Sequence, residues 1–348
     1  MLKKELGLLV LILVICAITT VLNPQFISQV NLMNLANQIG LFGLLAIGLG
    51  LVIITGGIEL SVGSMLALLG ILFLKLLVEL EVDWPIALIV TLLAGTLIGI
   101  VHGVLITRLK LQAFVVTLCG LLIYRGVARW WTADSTEGFG YGGGFETLEW
   151  LASGRFMGVP HTFIFFVVVC CLMAIVLHRS VFGRYLFAVG KNEEAARYSG
   201  LPTNLVIVAA YAICGLLTAI SSILFVFYTQ SVSPSAHGNF YELYAIAAAV
   251  LGGFSLRGGE GSILGIALGM ILLQVLQNLV NMLGIPSSLN FAVMGAVILI
   301  GVIADRELQR RRRHRLVRAA PAGAPPETAR AGAAPGKKEP HAVPSSRA

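Results

Sequence analysis

The stretch LGLLVLILVICAITTVL, residues 6–22, carries no charged residue and is about as long as a helix must be to cross a bilayer. Similar apolar stretches follow one another from there to about residue 304. Backbone polar groups have no water partner in hydrocarbon, so spanning segments must be helices or a closed barrel. These stretches are continuous and do not alternate in hydrophobicity, which favours helices. The sequence therefore predicts an all-α, polytopic membrane protein.

The composition of the whole chain points the same way. Its 348 residues are 57% hydrophobic and 12% charged, whereas a soluble domain carries about 25% charged residues. The 39 glycines are numerous for a helical protein, but between membrane helices they permit close backbone approach. The five cysteines all lie in apolar stretches and are interpreted as small hydrophobic residues. A soluble enzyme is excluded.

Ten transmembrane helices are predicted in one transmembrane domain, residues 1–305. Residues 6–22 resemble a signal peptide, but no small-residue cleavage site follows, so we interpret them as the first span. Residues 306–348 are predicted to be a basic, Pro/Ala-rich, disordered cytoplasmic tail. The ten spans are expected at about residues 6–22, 38–55, 60–79, 85–107, 111–129, 161–178, 205–227, 241–254, 262–283 and 289–304.

The distribution of Lys and Arg between the loops predicts the orientation. With both termini in the cytoplasm, the basic loops and the basic tail all fall on the inner side, and the acidic loops fall outside. The arginine run 310–318 then reads as a topology anchor that touches anionic lipid, and nucleic-acid binding is not expected. The segment 130–160 is the longest outer piece; it is either a flexible loop or an ordered cap.

Motifs for chemistry are missing from the sequence. It has no G-x-x-x-x-G-K-[ST] phosphate-binding loop and no H-E-x-x-H or G-x-S-x-G motif. We therefore predict no ATPase of its own, no catalytic residue, no metal site and no cofactor. His102 lies well within a span, where it serves either function or helix–helix hydrogen bonding. Lys75 and Glu79 lie four residues apart and can pair on one helix face.

Two Gly-rich breaks interrupt the apolar pattern, at residues 56–64 and 252–262. They are either broken helices that line a transport pathway or simple turns. Glu59 is a clamp or gate in the first case, and a capping residue at a helix start in the second. The residues predicted for the translocation pathway or its gate are Gly56, Gly57, Glu59, Ser61, Gly63 and Glu242.

A polar segment, residues 183–202, is predicted to form a short amphipathic helix in the cytoplasm. Asn192 can cap it, two glutamates fall in its first turn, and Gly200 can end it. The helix is either an ordinary solvated loop helix or the docking point for a separate ATPase. The residues predicted for ATPase coupling are Gly190, Asn192, Glu193, Glu194, Ala195, Arg197 and Gly200.

Four stretches in this order carry a resemblance: IITGGIELSVGS (53–64), GKNEEAARYSG (190–200), YELYAIAAAVLGG (241–253) and GGEGS (258–262). Together they resemble the permease subunits of bacterial ATP-binding-cassette importers for ribose, xylose, arabinose, galactose and related sugars. The resemblance covers about residues 6–305. Those permeases usually have Asp where this chain has Glu59, and often an acidic residue where it has Tyr244.

The resemblance implies a multi-pass protein of the bacterial plasma (inner) membrane, with ribose or a related pentose as its default substrate. It implies two cytoplasmic ATPase subunits, an external sugar-binding protein and a second permease subunit, identical or homologous. Asn192–Arg197 would then be the coupling helix that sits in a groove of the ATPase. The alternatives are a secondary transporter driven by an ion gradient, a membrane-embedded enzyme and a structural scaffold.

Overall fold

A computed structural model describes residues 2–140 and 143–286, with a few isolated positions between 289 and 299. The predicted tenth span, 289–304, lies almost entirely outside the described residues. The predicted tail, 306–348, lies wholly outside them.

The described part of the chain is built from helices, with four very short strands. The helices are α1 Leu2–Leu22, α2 Gln29–Ile54, α3 Val62–Leu74, α4 Trp84–Arg108, α5 Ala113–Trp131, α6 Glu146–Ser153, α7 His161–Arg179, α8 Val181–Lys191, α9 Glu193–Tyr198, α10 Thr203–Thr229, α11 Tyr241–Leu251 and α12 Ile263–Met282. The strands are β1 Glu137–Gly138, β2 Arg155–Phe156, β3 Val159–Pro160 and β4 Ser231–Val232. β1 pairs antiparallel with β4, and β2 with β3.

Eight helices in the described part are long and apolar enough to cross a membrane: α1, α2, α3 with the π-helical turn Lys75–Glu79 that continues it, α4, α5, α7, α10 and α12. This confirms the prediction of an all-α, polytopic membrane protein. α2, α3, α10 and α12 are mostly buried, whereas α1, α4, α5 and α7 are mostly exposed. Exposed apolar helices are stable in lipid, because lipid tails are as apolar as their side chains.

The second span begins earlier than predicted, at Gln29 and not near 38. Its first turns are rich in Asn, which hid the helix from a search for apolar residues. Two of these amides, Asn31 and Asn37, have partners inside the bundle. The Asn31 and Asn278 side chains exchange hydrogen bonds of 3.2 and 2.7 Å, and Thr162 donates to Asn37 at 2.7 Å.

The eighth predicted span, 241–254, was wrong as a continuous transmembrane helix. α11 has 11 residues, about 16 Å of helix against about 30 Å of hydrocarbon. The chain nevertheless returns from one end of the bundle to the other here. It leaves β4, which is paired with β1, and passes through the turns of residues 233–240 into α11. After α11 it reaches Gly258, which lies beside Gly190 near the end of α8. The turns of residues 233–240, which we call the turn segment, and a half-length helix together replace one span.

The segment 130–160 is ordered in its described residues, as the cap alternative expects. Phe139 and Phe145 are buried and pack around Phe227 of α10. Lys75 pairs with Glu79, as predicted, but it is buried and also lies 3.5 Å from Glu137 of β1. The end of α3 is therefore attached to the cap by an ion pair.

Candidate functional site: a clamped Gly-rich break beside the polar segment

Residues 55–61 connect α2 to α3 and contain most of the first Gly-rich break. The carboxylate of Glu59 holds this connection at the start of α3. Glu59 is buried, and its Oε1 accepts hydrogen bonds from the backbone N–H and the hydroxyl of Ser61, both at 2.7 Å. Ser61 is the residue before the first turn of α3. A carboxylate is favourable there because the N-terminal amides of a helix carry partial positive charge. Glu59 thus caps the helix start.

The second oxygen of the same carboxylate makes Glu59 a clamp as well. Its Oε2 lies 2.8 Å from Nδ1 of His102 on α4, and Nε2 of His102 lies 2.7 Å from the hydroxyl of Tyr124 on α5. A neutral imidazole with its proton on Nδ1 satisfies both contacts, donating to the carboxylate and accepting from the phenol. Glu59 therefore contacts both the start of α3 and, through His102, α4 and α5, while its role at a pathway or gate stays a prediction. His102 serves helix–helix hydrogen bonding.

Two further side chains hold the backbone of the break. The hydroxyl of Tyr211 on α10 donates to the carbonyl of Ile58 at 3.1 Å, and Gly57 lies directly beside that tyrosine. The hydroxyl of Thr117 on α5 reaches the same carbonyl at 3.4 Å. Broken-helix backbone is tolerated at this depth only where the protein supplies its hydrogen bonds. α5 and α10 supply them here.

The start of α3 meets the turn segment 233–240 and the start of α11. Gly63 lies against the backbone of Gly238, and a Cβ at Gly63 would lie 2.7 Å from Oε2 of Glu242. Glu242 is buried in the first turn of α11. The predicted pathway residues Ser61, Gly63 and Glu242, far apart in sequence, are therefore close together in the fold.

Arg125 of α5 holds this turn segment in place, a role that the sequence did not reveal. Its Nη1 donates to the carbonyl oxygens of Pro234 and His237, both at 2.7 Å. The available signal was a lone arginine within a span, where an ionisable residue needs a partner.

Replacing Arg125 by Met should release the turn segment. A hydrogen bond from a charged donor contributes about 1.5–3 kcal/mol, so amide exchange at residues 236–240 should accelerate by about tenfold or more. Hydrogen exchange measured by mass spectrometry checks this. Arg129→Met, one turn further along α5, is the matched control, because Arg129 is exposed and pairs with Asp134. Equal exchange in the two variants would contradict the role given to Arg125.

The polar segment 183–202 forms two helices, of which the sequence predicted only the second. α8 follows α7 after Ser180, whose hydroxyl accepts from the Gly183 amide. Asn192 then caps α9 as predicted: its side-chain oxygen accepts from the Ala195 amide at 2.9 Å. Gly200, in the left-handed region at φ +82°, follows the helix end.

Most of the predicted coupling residues lie on α9 or directly beside it and are exposed. Ala196 is the buried residue of α9. The exposed ones are Asn192, Glu193, Glu194, Ala195, Arg197 and Gly200.

Gly190, the remaining predicted coupling residue, lies inward, where three chain segments touch through backbone alone. The amide of Gly259 donates to the carbonyl of Ile54 at 2.8 Å. A Cβ built on Gly258 would lie 2.8 Å from both the Gly190 carbonyl oxygen and the Gly56 nitrogen. We call these residues, Ile54, Gly56, Gly190, Gly258 and Gly259, the glycine junction. It joins the polar segment to both Gly-rich breaks.

Among the described residues, no group of three or more His, Cys, Asp or Glu side chains is placed to hold a metal ion. The organised polar chemistry described above consists of hydrogen bonds that brace a broken membrane backbone. These features define the class: a polytopic membrane protein whose helical bundle contains a Gly-rich break held by hydrogen bonds.

The comparisons give the family. Residues 31–302 match the family described as branched-chain amino acid transport system / permease component, and the chain belongs to it. It is 39% identical to the ribose import permease protein RbsC of Escherichia coli K12 over 301 residues, covering 86% of this chain and 93% of that protein. The Bacillus subtilis ribose import permease is 38% identical over 303 residues, covering 87% of this chain and 91% of that protein.

A more distant relative is the autoinducer 2 import system permease protein LsrD of Salmonella paratyphi A. It is 33% identical over 285 residues, covering 81% of this chain and 85% of that protein. No solved structure matches the chain.

Membership makes the chain a multi-pass permease component of an ATP-binding-cassette importer, a transport component and not an enzyme. Such a permease implies an ATPase and a substrate-binding protein as partners. Nothing in the comparisons supports the alternative of an ion-gradient transporter.

Proposed function

We propose that this chain forms the translocation pathway for a monosaccharide, ribose or a related pentose, imported at the expense of ATP hydrolysed by separate subunits. The similarity to the E. coli and B. subtilis ribose import permeases supports the substrate class, since both extend over more than nine tenths of those proteins. The resemblance in the four glycine-containing stretches supports the coupling to ATP.

The proposed assembly contains two permease chains, identical or homologous, in the plasma membrane. Both termini are cytoplasmic, with the permease domain at residues 1–305 and a disordered basic tail at 306–348 that touches anionic lipid. An ATPase subunit docks on α9 from inside, and a sugar-binding protein docks from outside. Nucleic acid is not a partner.

The glycine junction is the observation that carries the proposed mechanism. A coupling helix that moved on a flexible loop would transmit little to the spans. Here the last turn of α8 touches both Gly-rich breaks through backbone atoms, so a movement of α8 and α9 has to displace residues 54–56 and 258–259. Close-packed contacts of this kind switch between discrete arrangements more readily than they deform.

At the α3 end of the first break, Glu59 connects that movement to the neighbouring helices. Glu59 binds the break to α3, α4 and α5 through Ser61, His102 and Tyr124. ATP-driven closure of the ATPase pair would displace the break at Gly56. Through the hydrogen bonds of Glu59 this displacement would reach α3, α4 and α5. The pathway residues Gly63 and Glu242 lie just beyond the clamp. ATP thus biases a two-state rearrangement.

Glu194→Arg should uncouple the ATPase from the permease. Glu194 is exposed in the first turn of α9, and reversing its charge opposes the helix dipole and alters the docking surface. We expect at least a tenfold drop in both ATPase co-purification and ribose uptake.

Glu149→Arg is the matched control, because Glu149 lies in the first turn of another short surface helix, α6. It should leave the complex and uptake near wild type. An intact complex with full uptake in Glu194→Arg would remove α9 as the coupling helix.

The substrate class is tested separately, by uptake of labelled ribose in cells that lack their own ribose permease and express this chain with its cognate ATPase and binding protein. Ribose should compete with its own uptake at low excess, and a branched-chain amino acid should not. Uptake of leucine in place of ribose would overturn the sugar assignment and leave the transport role standing.

A further inference from the structure

A cavity of about 440 Å³ opens where the end of α4, the end of α9 and the start of α10 meet. Two arginines line it, Arg108 in the last turn of α4 and Arg197 in the last turn of α9. Neither guanidinium makes an ion pair with any residue that the structure describes. Two cations of the same chain therefore border one cavity without a neutralising partner from it.

The start of α10 adds donors of its own. No side chain caps this 27-residue helix, and the first turn of a helix leaves backbone N–H groups without an intrahelical partner. Thr203 lines the cavity with only 3% of its surface exposed, and its hydroxyl has no hydrogen-bond partner within the described ranges. The amide oxygen of Asn204 is buried without a partner, but it is an acceptor and does not contribute to anion binding. The two arginines, the first-turn amides and the Thr203 hydroxyl are donors, and such donors are suited to an anion.

The remaining wall is apolar and open. Val104 and Leu205 line the cavity with 40% and 66% of their surfaces exposed. A free anion would gain nothing from these side chains. A phosphate that carries acyl chains would place its headgroup among the donors and its chains along the apolar wall.

We propose that this cavity binds the phosphate headgroup of an anionic phospholipid. Guanidinium groups match phosphate in geometry and charge, and basic pockets between membrane helices on the cytoplasmic side are suited to lipid headgroups. The bound lipid bridges α4, α9 and α10, so it stiffens the base of the coupling helix. The inference does not depend on which sugar is transported.

Native mass spectrometry of the full-length chain in mild detergent tests the site. Phosphatidylglycerol and phosphatidylcholine with identical acyl chains are added in turn, and the bound fraction of each is measured. Wild type should retain phosphatidylglycerol preferentially. Arg108→Gln should lower its apparent affinity by about tenfold or more, since a charge-assisted hydrogen bond is lost, and Thr203→Val should lower it severalfold.

Arg179→Gln is the matched control, because Arg179 also lies in the last turn of a spanning helix, α7, away from the cavity. It should bind lipid as wild type does. Thermal unfolding verifies that each variant is folded. If Arg108→Gln does not fold, Thr203→Val still tests the site.

Three results would overturn the proposal. One is equal binding of the two lipids by wild type. Another is unchanged phosphatidylglycerol affinity in both cavity variants. The third is displacement of phosphatidylglycerol by millimolar inorganic phosphate, which would make a free anion the occupant.

Discussion

Gly190→Ala should reduce ribose uptake by about tenfold or more while leaving the ATPase attached. A Cβ at this position would lie 2.5 Å from the Gly259 nitrogen and closer still to the Ile54 carbonyl oxygen. Both neighbours are backbone, so the segments must separate. Overpacking of this kind costs about 1–3 kcal/mol, and about 1.4 kcal/mol corresponds to a factor of ten in an equilibrium.

Gly190 lies within α8, and in a helix alanine is more favourable than glycine by about 1 kcal/mol. The substitution should therefore stabilise α8 itself, so the loss of uptake has to come from the contacts at the glycine junction. α9 and its exposed glutamates are unchanged, so co-purification of the ATPase should persist. Uptake and ATPase co-purification are therefore measured on the same preparations.

Gly7→Ala in α1 is the matched control, since a Cβ there would meet nothing within 4 Å. It should transport like wild type. Normal uptake in Gly190→Ala would show that the glycine junction does not transmit the movement of the coupling segment.

Glu59→Leu should abolish transport and lower thermal stability. Leucine fills a similar volume but leaves the Ser61 amide, the Ser61 hydroxyl and the His102 ring without an acceptor, all of them buried. Leaving a buried hydrogen-bond donor without its acceptor costs about 1–3 kcal/mol. Uptake should fall to background, and the unfolding midpoint of the purified chain should drop by several degrees.

A double-mutant cycle with His102→Leu separates the clamp from a general packing effect. Removing both partners of a buried polar pair is cheaper than removing one, so the double variant should be no less stable than Glu59→Leu alone. Glu81→Leu, at an exposed position, is the control and should be near neutral. Strictly additive losses would mean that Glu59 and His102 do not act as a pair.

The sequence predicted the class of fold because length and hydrophobicity decide it. The predicted helix bounds were wrong where polar residues lie inside a helix or where glycines prolong an apolar stretch. Asn31 and Asn37 hid the first turns of α2, since the partners that satisfy them inside the bundle, Asn278 and Thr162, are distant in sequence. Conversely, Gly252 and Gly253 are compatible with an apolar stretch and lengthened the predicted eighth span beyond α11. Helix ends defined by tertiary hydrogen bonds leave little local signal.

The candidate site was half predictable for the same reason. Glu59 and the Asn192 cap are local features: a carboxylate in a Gly-rich break and an Asn before two glutamates. Their partners are not local. His102 reaches Glu59 across 43 positions, and nothing in the sequence pairs Gly190 with Gly56 and Gly259. The roles of Glu59 in a gate and of Glu194 in ATPase docking stay predictions.

The central claim is that this chain transports only when a separate ATPase drives it, and reconstitution tests that most directly. The purified permease is placed in proteoliposomes with its cognate ATPase, binding protein and ATP, and uptake of labelled ribose is measured as each component is omitted. Uptake should require every component and should persist when ionophores collapse the ion gradients. Ribose accumulation by the permease alone, driven by a proton or sodium gradient without ATP, would contradict the account.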